Sequence, residues 1–201
     1  MNRLPAHPPN MSTGVQLDRW CRRHGVVGYR GAFCADGMPT PWRPRDECFI
    51  INHSRCGFGD GTHWLACRLK TDHTGCVAKW WDSYGEPPKA QEEQMVMTPR
   101  MEPPDFEAWF EACGVDRVEY WPTNVQSVAS EVCGLYAAWF CKNGYPEPGN
   151  KAWSWLGTNY SANDAQIARL VKLQSDSARA VGGSGAAPGS RPRGTAARGA
   201  R

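Results

Sequence analysis

The sequence predicts an α+β fold, in which an antiparallel or mixed β-sheet packs beside helices. Two β-prone runs flank a polar turn that ends at Gly75, a pattern typical of a β-hairpin. Farther along the chain, apolar residues at helical spacing follow prolines or capping residues and stop at glycines. Hydrophobic residues make up 41% of the 201 residues, which is enough apolar surface for one packed domain. The strands are grouped ahead of most of the helices, and this order favours an α+β fold.

The first part of the chain predicts one helix, a loop region and one strand. Thr13 is a residue type that caps helices, and Gly25 ends the helical pattern. Four apolar residues are expected to share one face of this helix: Val15, Leu17, Trp20 and Cys21. The glycines and prolines of residues 26–45 predict loops with short extended pieces. The apolar run at residues 48–52 predicts a short buried strand.

The rest of the chain predicts the hairpin, one more strand and three helices. Prolines at a helix entry and Gly114 at its end bound the first of these helices. Asn163 is expected to cap the last one. The predicted strands are 64–69, 76–81 and 117–121, and the predicted helices are 103–113, about 131–142, and the segment that follows Asn163.

Composition divides the chain into three parts. We expect a Pro-rich arm at residues 1–11, a folded domain at 12–176 and a disordered tail at 177–201. The formal net charge of +3 hides an asymmetry, because the tail has five arginines and no acidic residue, which leaves residues 1–176 with a net charge of −2. The tail is rich in Gly, Ala and Arg. Its arginines are either solvated or contact nucleic-acid phosphates: Arg179, Arg191, Arg193, Arg198 and Arg201.

The sequence also sets expectations about compartment. No run approaches the roughly 18 apolar residues of a membrane span, and the N-terminus lacks the apolar core of a signal peptide. The nine cysteines are odd in number and irregularly spaced, which favours free thiols over a disulfide framework. We therefore expect a protein that is not secreted, makes no membrane contact and stays in a reducing compartment.

Four residues form a candidate catalytic set. Cys133 begins an apolar helix, where the helix dipole favours a thiolate and the unpaired N–H groups of the first turn can hold an oxyanion. Gln126 offers a further amide donor. His63 supplies a base, and a hairpin turn at 70–75 would place Asp82 directly opposite it, where a carboxylate orients the imidazole. The set predicts a Cys–His–Asp site with a Gln oxyanion hole.

Other interpretations remain open for the same residues. Taken singly, Cys133 fits core packing, His63 the edge of a strand and Asp82 a turn. A zinc- or nucleic-acid-binding module would use His63, Cys67, His73 and Cys76, although their spacing fits no common zinc finger. A catalytically inactive relative kept for binding would have no reason to retain a thiol, an imidazole, a carboxylate and an amide together.

The chain resembles the adenovirus protease (adenain-like) cysteine peptidase family, a distant relative of the SUMO-specific proteases. The resemblance covers about residues 17–140 and is carried by five motifs. These are Cys-Phe-Ile-Ile-Asn at 48–52, Gly-Thr-His-Trp at 61–64, Trp-Asp-Ser-Tyr-Gly at 81–85, Val-Gln-Ser-Val at 125–128 and Cys-Gly-Leu at 133–135. It implies an adenain/SUMO-protease-like fold with His63, Asp82, Gln126 and Cys133 as catalytic residues.

The resemblance also implies a biological role. It suggests a monomeric viral endopeptidase that cleaves capsid and core precursor proteins at Gly-containing sites during virion maturation, in the virion and the infected cell. The chemistry needs no cofactor, but some members of the family are activated by DNA and by a small viral peptide tethered through a disulfide. Cys113 lies in the neighbourhood of that tether, and it fits packing at a helix end equally well. The nearest alternative is a deconjugating peptidase acting on a ubiquitin-like protein, since those proteins end in Gly-Gly.

Overall fold

The computed structural model describes residues 12–40, 46–54, 63–90 and 105–172 of the protein. The predicted arm at 1–11 and the predicted tail at 177–201 lie outside these ranges. The three-part division of the chain therefore stays a prediction. Within the described ranges, no helix is both long enough and apolar enough to cross a membrane.

A five-stranded mixed sheet forms the centre of the structure. Its strands follow one another in chain order across the sheet. The two outer pairs, β1 with β2 and β4 with β5, are parallel, whereas the two inner pairs, β2 with β3 and β3 with β4, are antiparallel. The strands are β1 (Tyr29–Cys34), β2 (Asp46–Asn52), β3 (Trp64–Asp72), β4 (Gly75–Trp81) and β5 (Arg117–Tyr120).

Helices cover both faces of this sheet. One face packs against the first, third and fourth helices, and the other packs against the second. This arrangement confirms the predicted α+β class with a mixed sheet flanked by helices. The helices are α1 (Gly14–Arg23), α2 (Phe106–Ala112), α3 (Cys133–Asn143) and α4 (Tyr160–Leu170), with short 3-10 turns at Ala35–Gly37 and Lys151–Trp153.

The β3–β4 hairpin is held from both sides by aromatic side chains. Successive residues of a strand point to opposite faces of the sheet, so neighbouring tryptophans of β4 enter different layers. Trp81 stacks on Phe140 of α3 with ring centroids 5.5 Å apart. Trp80 meets Phe106 of α2 edge to face at 4.7 Å. The end of the hairpin, where the candidate residues lie, is therefore fixed in position.

The first helix is confirmed, with one exception. Thr13 caps α1 through a capping box with Gln16. Leu17, Trp20 and Cys21 are buried as expected, but Val15 is 62% exposed, so its assignment to the buried face is wrong. Val15 precedes Leu17 by two residues and so points to nearly the opposite side of the helix.

Strand β1 and the cap of α4 differ from the sequence-based expectation. β1 lies in a region predicted as loops with short extended pieces, because its residues neither alternate in polarity nor avoid glycine. Its pairing with β2 makes it a strand. Asn159, not Asn163, caps α4 by accepting a hydrogen bond from the N–H of Ala162. Asn163 instead lies inside the helix and is buried.

The cysteines also differ in part from the expectation of free thiols. Cys34, at the end of β1, is disulfide-bonded, so that expectation is wrong at this position. The spacing of cysteines in the sequence does not show which of them the fold brings together. Seven other cysteines within the described ranges are free and buried: Cys21, Cys48, Cys67, Cys76, Cys113, Cys133 and Cys141.

Candidate active site

Cys133 is the first residue of α3. The helix is preceded by Val132, whose side chain makes no capping hydrogen bond. A Cβ atom added at Gly134 would lie 3.0 Å from side-chain atoms of Leu17 and Ser12 and 3.1 Å from the indole of Trp64. The start of the helix is therefore pressed against α1 and β3, and a residue with a side chain at position 134 would push it away. This packing leaves Cys133 only 6% exposed.

His63 lies directly before β3 and contacts the carboxylate of Asp82. Its Nε2 atom is 2.9 Å from Asp82 Oδ1. The imidazole is 13% exposed and the carboxylate is completely buried, so little solvent screens this pair. The backbone carbonyl of His63 accepts a hydrogen bond from the N–H of His53 at 2.9 Å, which continues the β2–β3 ladder and fixes the main chain at this point.

The contact between His63 and Asp82 was predicted, but the register on which that prediction rested is wrong. The hairpin turn is tighter than residues 70–75, because Asp72 already pairs with Gly75. Asp72 stabilises this turn by accepting hydrogen bonds from the N–H and the hydroxyl of Thr74, at 2.7 and 2.6 Å. The pairing is therefore offset by two residues from the predicted one.

The observed register explains how His63 still reaches Asp82. The ladder ends at the pair Ala66 and Trp81. Continued in the same register, it would place Tyr84 opposite His63 and would make Asp82 a diagonal neighbour on the same face. Tyr84 does stack on the imidazole, with ring centroids 5.1 Å apart and an interplanar angle of 27°. A shift of two residues preserves the face, whereas a shift of one would have separated the pair.

His63 also interacts with Cys133. Burial alone would lower the pKa of the imidazole, but hydrogen bonds to Asp82 and to Cys133 outweigh burial and raise the pKa to about 10. The imidazole therefore lies next to the Asp82 carboxylate and near the thiol at the start of α3. A protonated imidazole in this position favours the charged, nucleophilic form of a neighbouring thiol.

The turn after β4 holds the Asp82 carboxylate. Asp82 Oδ1 accepts a second hydrogen bond from the N–H of Tyr84 at 2.8 Å, and the N–H of Gly85 donates to the Asp82 carbonyl at 3.0 Å. Gly85 has φ +82°, and a Cβ atom there would lie 2.8 Å from the carbonyl carbon of Thr123 and 2.9 Å from the backbone nitrogen of Asn124. Only glycine fits this turn against the segment that leads to Gln126.

Gln126 is completely buried and is hydrogen-bonded to the turn that follows Asp82. Its Oε1 atom accepts a hydrogen bond from the Ser83 hydroxyl at 2.7 Å, which determines the orientation of the amide. Its Nε2 atom donates to the carbonyl of Ser130 at 2.8 Å and lies 3.3 Å from the Tyr84 hydroxyl. The structure thus joins Gln126 to the Asp82 turn. Both hydrogens of its amide nitrogen face an acceptor.

Tyr84 is a component of this cluster that the sequence did not single out. Burial raises the pKa of its phenol, and the charges of Cys133 and Asp82 raise it further. The residue therefore lies close to the thiol and the carboxylate, in addition to stacking on His63 and bonding Gln126. Its neighbour Ser83 was likewise not predicted. Their place in the Trp-Asp-Ser-Tyr-Gly motif was the signal that could have identified both.

The remaining candidates take no part in the cluster. Cys113, suggested as an activator tether, is 4% exposed at the end of α2. Burial and, to a smaller extent, the nearby Cys76 raise the pKa of its thiol to about 12, as expected for a packing residue. Among the described residues, no group of three or more His, Cys, Asp or Glu side chains is arranged to hold a metal ion. Four tail arginines considered for DNA contact lie outside the described residues: Arg191, Arg193, Arg198 and Arg201.

Comparisons with known proteins give only distant structural similarities. No protein-family model and no curated protein matches the sequence. The ASFV pS273R protease is similar at a TM-score of 0.44 and 11% identity, over 81% of this chain and 68% of that one. ChlaDub1 from Chlamydia trachomatis is similar at a TM-score of 0.43 and 12% identity, over 85% and 92%. A variant of AvrA with IP6 and CoA is similar at a TM-score of 0.40 and 10% identity, over 64% of this chain and 46% of that one.

Proposed function

We propose that this protein is a cysteine peptidase in which Cys133 is the nucleophile, His63 the acid and base, and Asp82 the residue that orients His63. The observation that carries the proposal is that one buried imidazole is hydrogen-bonded to a carboxylate with no exposed surface and lies close enough to the thiol at the start of α3 for that thiol to raise its pKa. A thiol next to an imidazole, with the imidazole held by a carboxylate, is the set of groups that catalyses nucleophilic acyl transfer.

In the first half of the reaction, the Cys133 thiolate attacks the carbonyl carbon of a peptide bond. A C–S bond forms and the carbonyl oxygen becomes an oxyanion. The His63 imidazolium then gives its proton to the amide nitrogen as the C–N bond breaks, and the amine leaves. The bond to Asp82 keeps the imidazole in the tautomer and orientation that this transfer requires.

In the second half, His63 removes a proton from water, and the resulting hydroxide attacks the thioester carbonyl. The C–S bond breaks, the carboxylic acid is released, and the proton held by His63 restores the starting pair. Both halves pass through an oxyanion. The backbone N–H of Cys133 and the amide of Gln126 are its proposed donors; the Gln126 hydrogen that faces the Tyr84 hydroxyl, at the longer distance of 3.3 Å, is the one that would turn to the oxyanion. In similar sites the loss of one donor lowers kcat by about 10² to 10³.

We infer the substrate class from the motif resemblance. The five motifs support an endopeptidase that matures viral capsid and core precursors at Gly-containing sites, in the virion and the infected cell. DNA remains a proposed activator through the basic tail. Cys113 remains the proposed anchor of a disulfide-tethered activating peptide, and its thiol, which is 4% exposed, would have to become accessible for the tether to form.

Reactivity of the cysteines tests the proposed chemistry. Labelling with iodoacetamide under limiting reagent, followed by peptide mapping, should show Cys133 reacting much faster than the other cysteines. His63→Ala should remove this advantage, because the thiol loses the imidazole that stabilises its charged form. Equal reactivity of all cysteines in the wild-type protein would contradict the proposal.

Cleavage assays then test the substrate class. A panel of Gly-containing peptides and a set of conjugates of ubiquitin-like proteins should be incubated with the protein and with Cys133→Ala. Cleavage of the peptides by the wild-type protein alone supports the endopeptidase. Cleavage confined to the conjugates would replace it with deconjugation at the same site.

A further inference from the structure

Two buried polar residues of α4 have no role in the chemistry proposed above. Asn163 is 2% exposed and Asp164 is 7% exposed. Burying an amide or a carboxylate is costly unless hydrogen bonds satisfy it, so the partners of such residues show what the fold gains from them. Several of these partners lie next to Gln126.

The hydrogen bonds of α4 fix the peptide groups on both sides of Gln126. On one side, Asn163 Nδ2 donates to the carbonyl of Val125 at 3.2 Å. On the other, Asp164 Oδ2 accepts from the N–H of Ser127 at 3.1 Å. These contacts connect residues 37 and 38 positions apart in the sequence. The backbone on each side of Gln126 is therefore held by the last helix.

The Asp164 carboxylate is also hydrogen-bonded to α3, the helix that begins with Cys133. Asp164 Oδ1 accepts a hydrogen bond from the Tyr136 hydroxyl at 3.0 Å, and this hydroxyl also lies 3.2 Å from the carbonyl of Val125. Tyr136 follows Cys133 by three residues, about one helical turn. Asp164 therefore bridges the segment of Gln126 to the first turn of α3.

We propose that Asp164 and Asn163 are positioning residues that set the separation between Gln126 and the backbone N–H of Cys133. This inference rests on the proposed function, in which these two groups stabilise the oxyanion. Donors of this kind act only when they are held where the oxygen develops. A displacement of about 1 Å can reduce the rate by about 10²-fold.

Two reagents separate this role from a general effect on Cys133. With p-nitrophenyl acetate, the thiolate adds to the carbonyl, an oxyanion forms, and the C–O bond breaks to release p-nitrophenolate. With iodoacetamide, the thiolate displaces iodide from carbon as the C–S bond forms, and no oxyanion arises. A loss of oxyanion positioning therefore lowers the rate of acylation and leaves the rate of alkylation little changed.

The test compares substitutions of Asp164 in the full chain. Asp164→Leu keeps the branching of the side chain but removes both acceptors, and it should lower acylation of Cys133 by about 10- to 100-fold. Asp164→Asn should restore most of this rate. Its side-chain oxygen can accept from Ser127, while its nitrogen donates to the Tyr136 hydroxyl, which in turn donates to Val125. Alkylation should stay near the wild-type rate in both variants.

Asn163→Ala provides a second variant if Asp164→Leu does not fold, and Asn150→Ala is its matched control. Asn163 donates to the carbonyls of Val125 and Gly157, at 3.2 and 2.8 Å. Asn150 likewise donates to two carbonyls, those of Asn143 at 2.9 Å and Tyr145 at 2.7 Å, but in a loop away from Gln126. Asn163→Ala should lower acylation relative to alkylation, and Asn150→Ala should leave that ratio unchanged.

Two outcomes would overturn the inference. One is an unchanged ratio of acylation to alkylation in Asp164→Leu and Asn163→Ala. The other is an equal fall of both rates, which would mean that α4 supports the fold of the site and not the oxyanion donors. Failure of the proposed function looks different, because wild-type Cys133 would then show no selective alkylation.

Discussion

The Nε2 atom of His63 lies 2.9 Å from Oδ1 of Asp82, diagonally across the end of the β3–β4 hairpin. The position directly opposite His63 belongs to Tyr84, whose ring stacks on the imidazole. One hairpin end thus provides the imidazole with a carboxylate at its edge and an aromatic ring on its face. The thiol of Cys133, at the start of α3, also lies near enough to raise the pKa of the imidazole.

Asp82→Asn should move the alkaline limit of activity to lower pH. In the proposed mechanism the His63 imidazolium donates the proton to the leaving amine, so kcat should fall as pH rises through the His63 pKa of about 10. Asparagine keeps the shape of the side chain but removes the charge, so the pKa of His63 should fall. The value of kcat should fall as well, by about 10² to 10⁴. The measurement is a pH–rate profile of kcat.

A matched control for this substitution is Asp46→Asn. Asp46 pairs with Arg68 at 2.6 Å, away from the candidate site, and its substitution should leave the alkaline limit in place. An alkaline limit that stays the same in Asp82→Asn would show that Asp82 does not set the protonation of His63.

The contribution of His63 to stability should decrease as pH rises. Its pKa is raised from 6.5 to about 10 in the folded protein, so the folded state holds this proton more tightly than the unfolded state. The resulting stabilisation is fully present below pH 6.5 and is lost as pH approaches 10. Urea unfolding of the wild-type protein and His63→Gln at several pH values measures this difference in free energy. A difference that grows with pH would contradict the assignment.

Gly85→Ala should destabilise the protein and lower its activity. A positive φ costs a residue with a side chain about 1–2 kcal/mol, and the added Cβ would also collide with the backbone at Thr123 and Asn124. We expect a loss of more than about 2 kcal/mol in the free energy of unfolding, measured by urea titration. Gly25→Ala is the control, because Gly25 also has a positive φ, +58°, but has open space around it. Equal effects of the two substitutions would mean that the collision at Gly85 relaxes without cost.

Deleting residues 177–201 should weaken binding to DNA. The tail carries arginines and no acidic residue, so its contacts with phosphates should release counterions and depend steeply on salt. Fluorescence anisotropy with a labelled duplex at several salt concentrations measures the affinity and its salt dependence. A matched full-length variant with the tail arginines changed to glutamine separates charge from length. Unchanged affinity in both variants would end the proposal of a DNA-binding tail.

The sequence by itself determined the local elements of this protein. Capping residues and glycines located the ends of helices, as Thr13 and Gly114 show for α1 and α2. Polar turn residues located the hairpin. These signals are encoded within a few residues of one another, so they can be interpreted without knowing what packs against them. Local sequence signals also identified His63 and Cys133 as candidate catalytic residues.

Only the tertiary structure decided how distant residues meet. The turn at Asp72 set a register that differs from the predicted one, and the packing of α3 and α4 brought Asp164 to Ser127. Strand β1 exists because β2 pairs with it, not because of its own pattern. Such contacts depend on side chains far apart in the sequence, whose mutual burial and hydrogen bonding are satisfied only in the folded chain. For this reason the sequence indicated which groups the candidate site contains, and the fold determined how they are held.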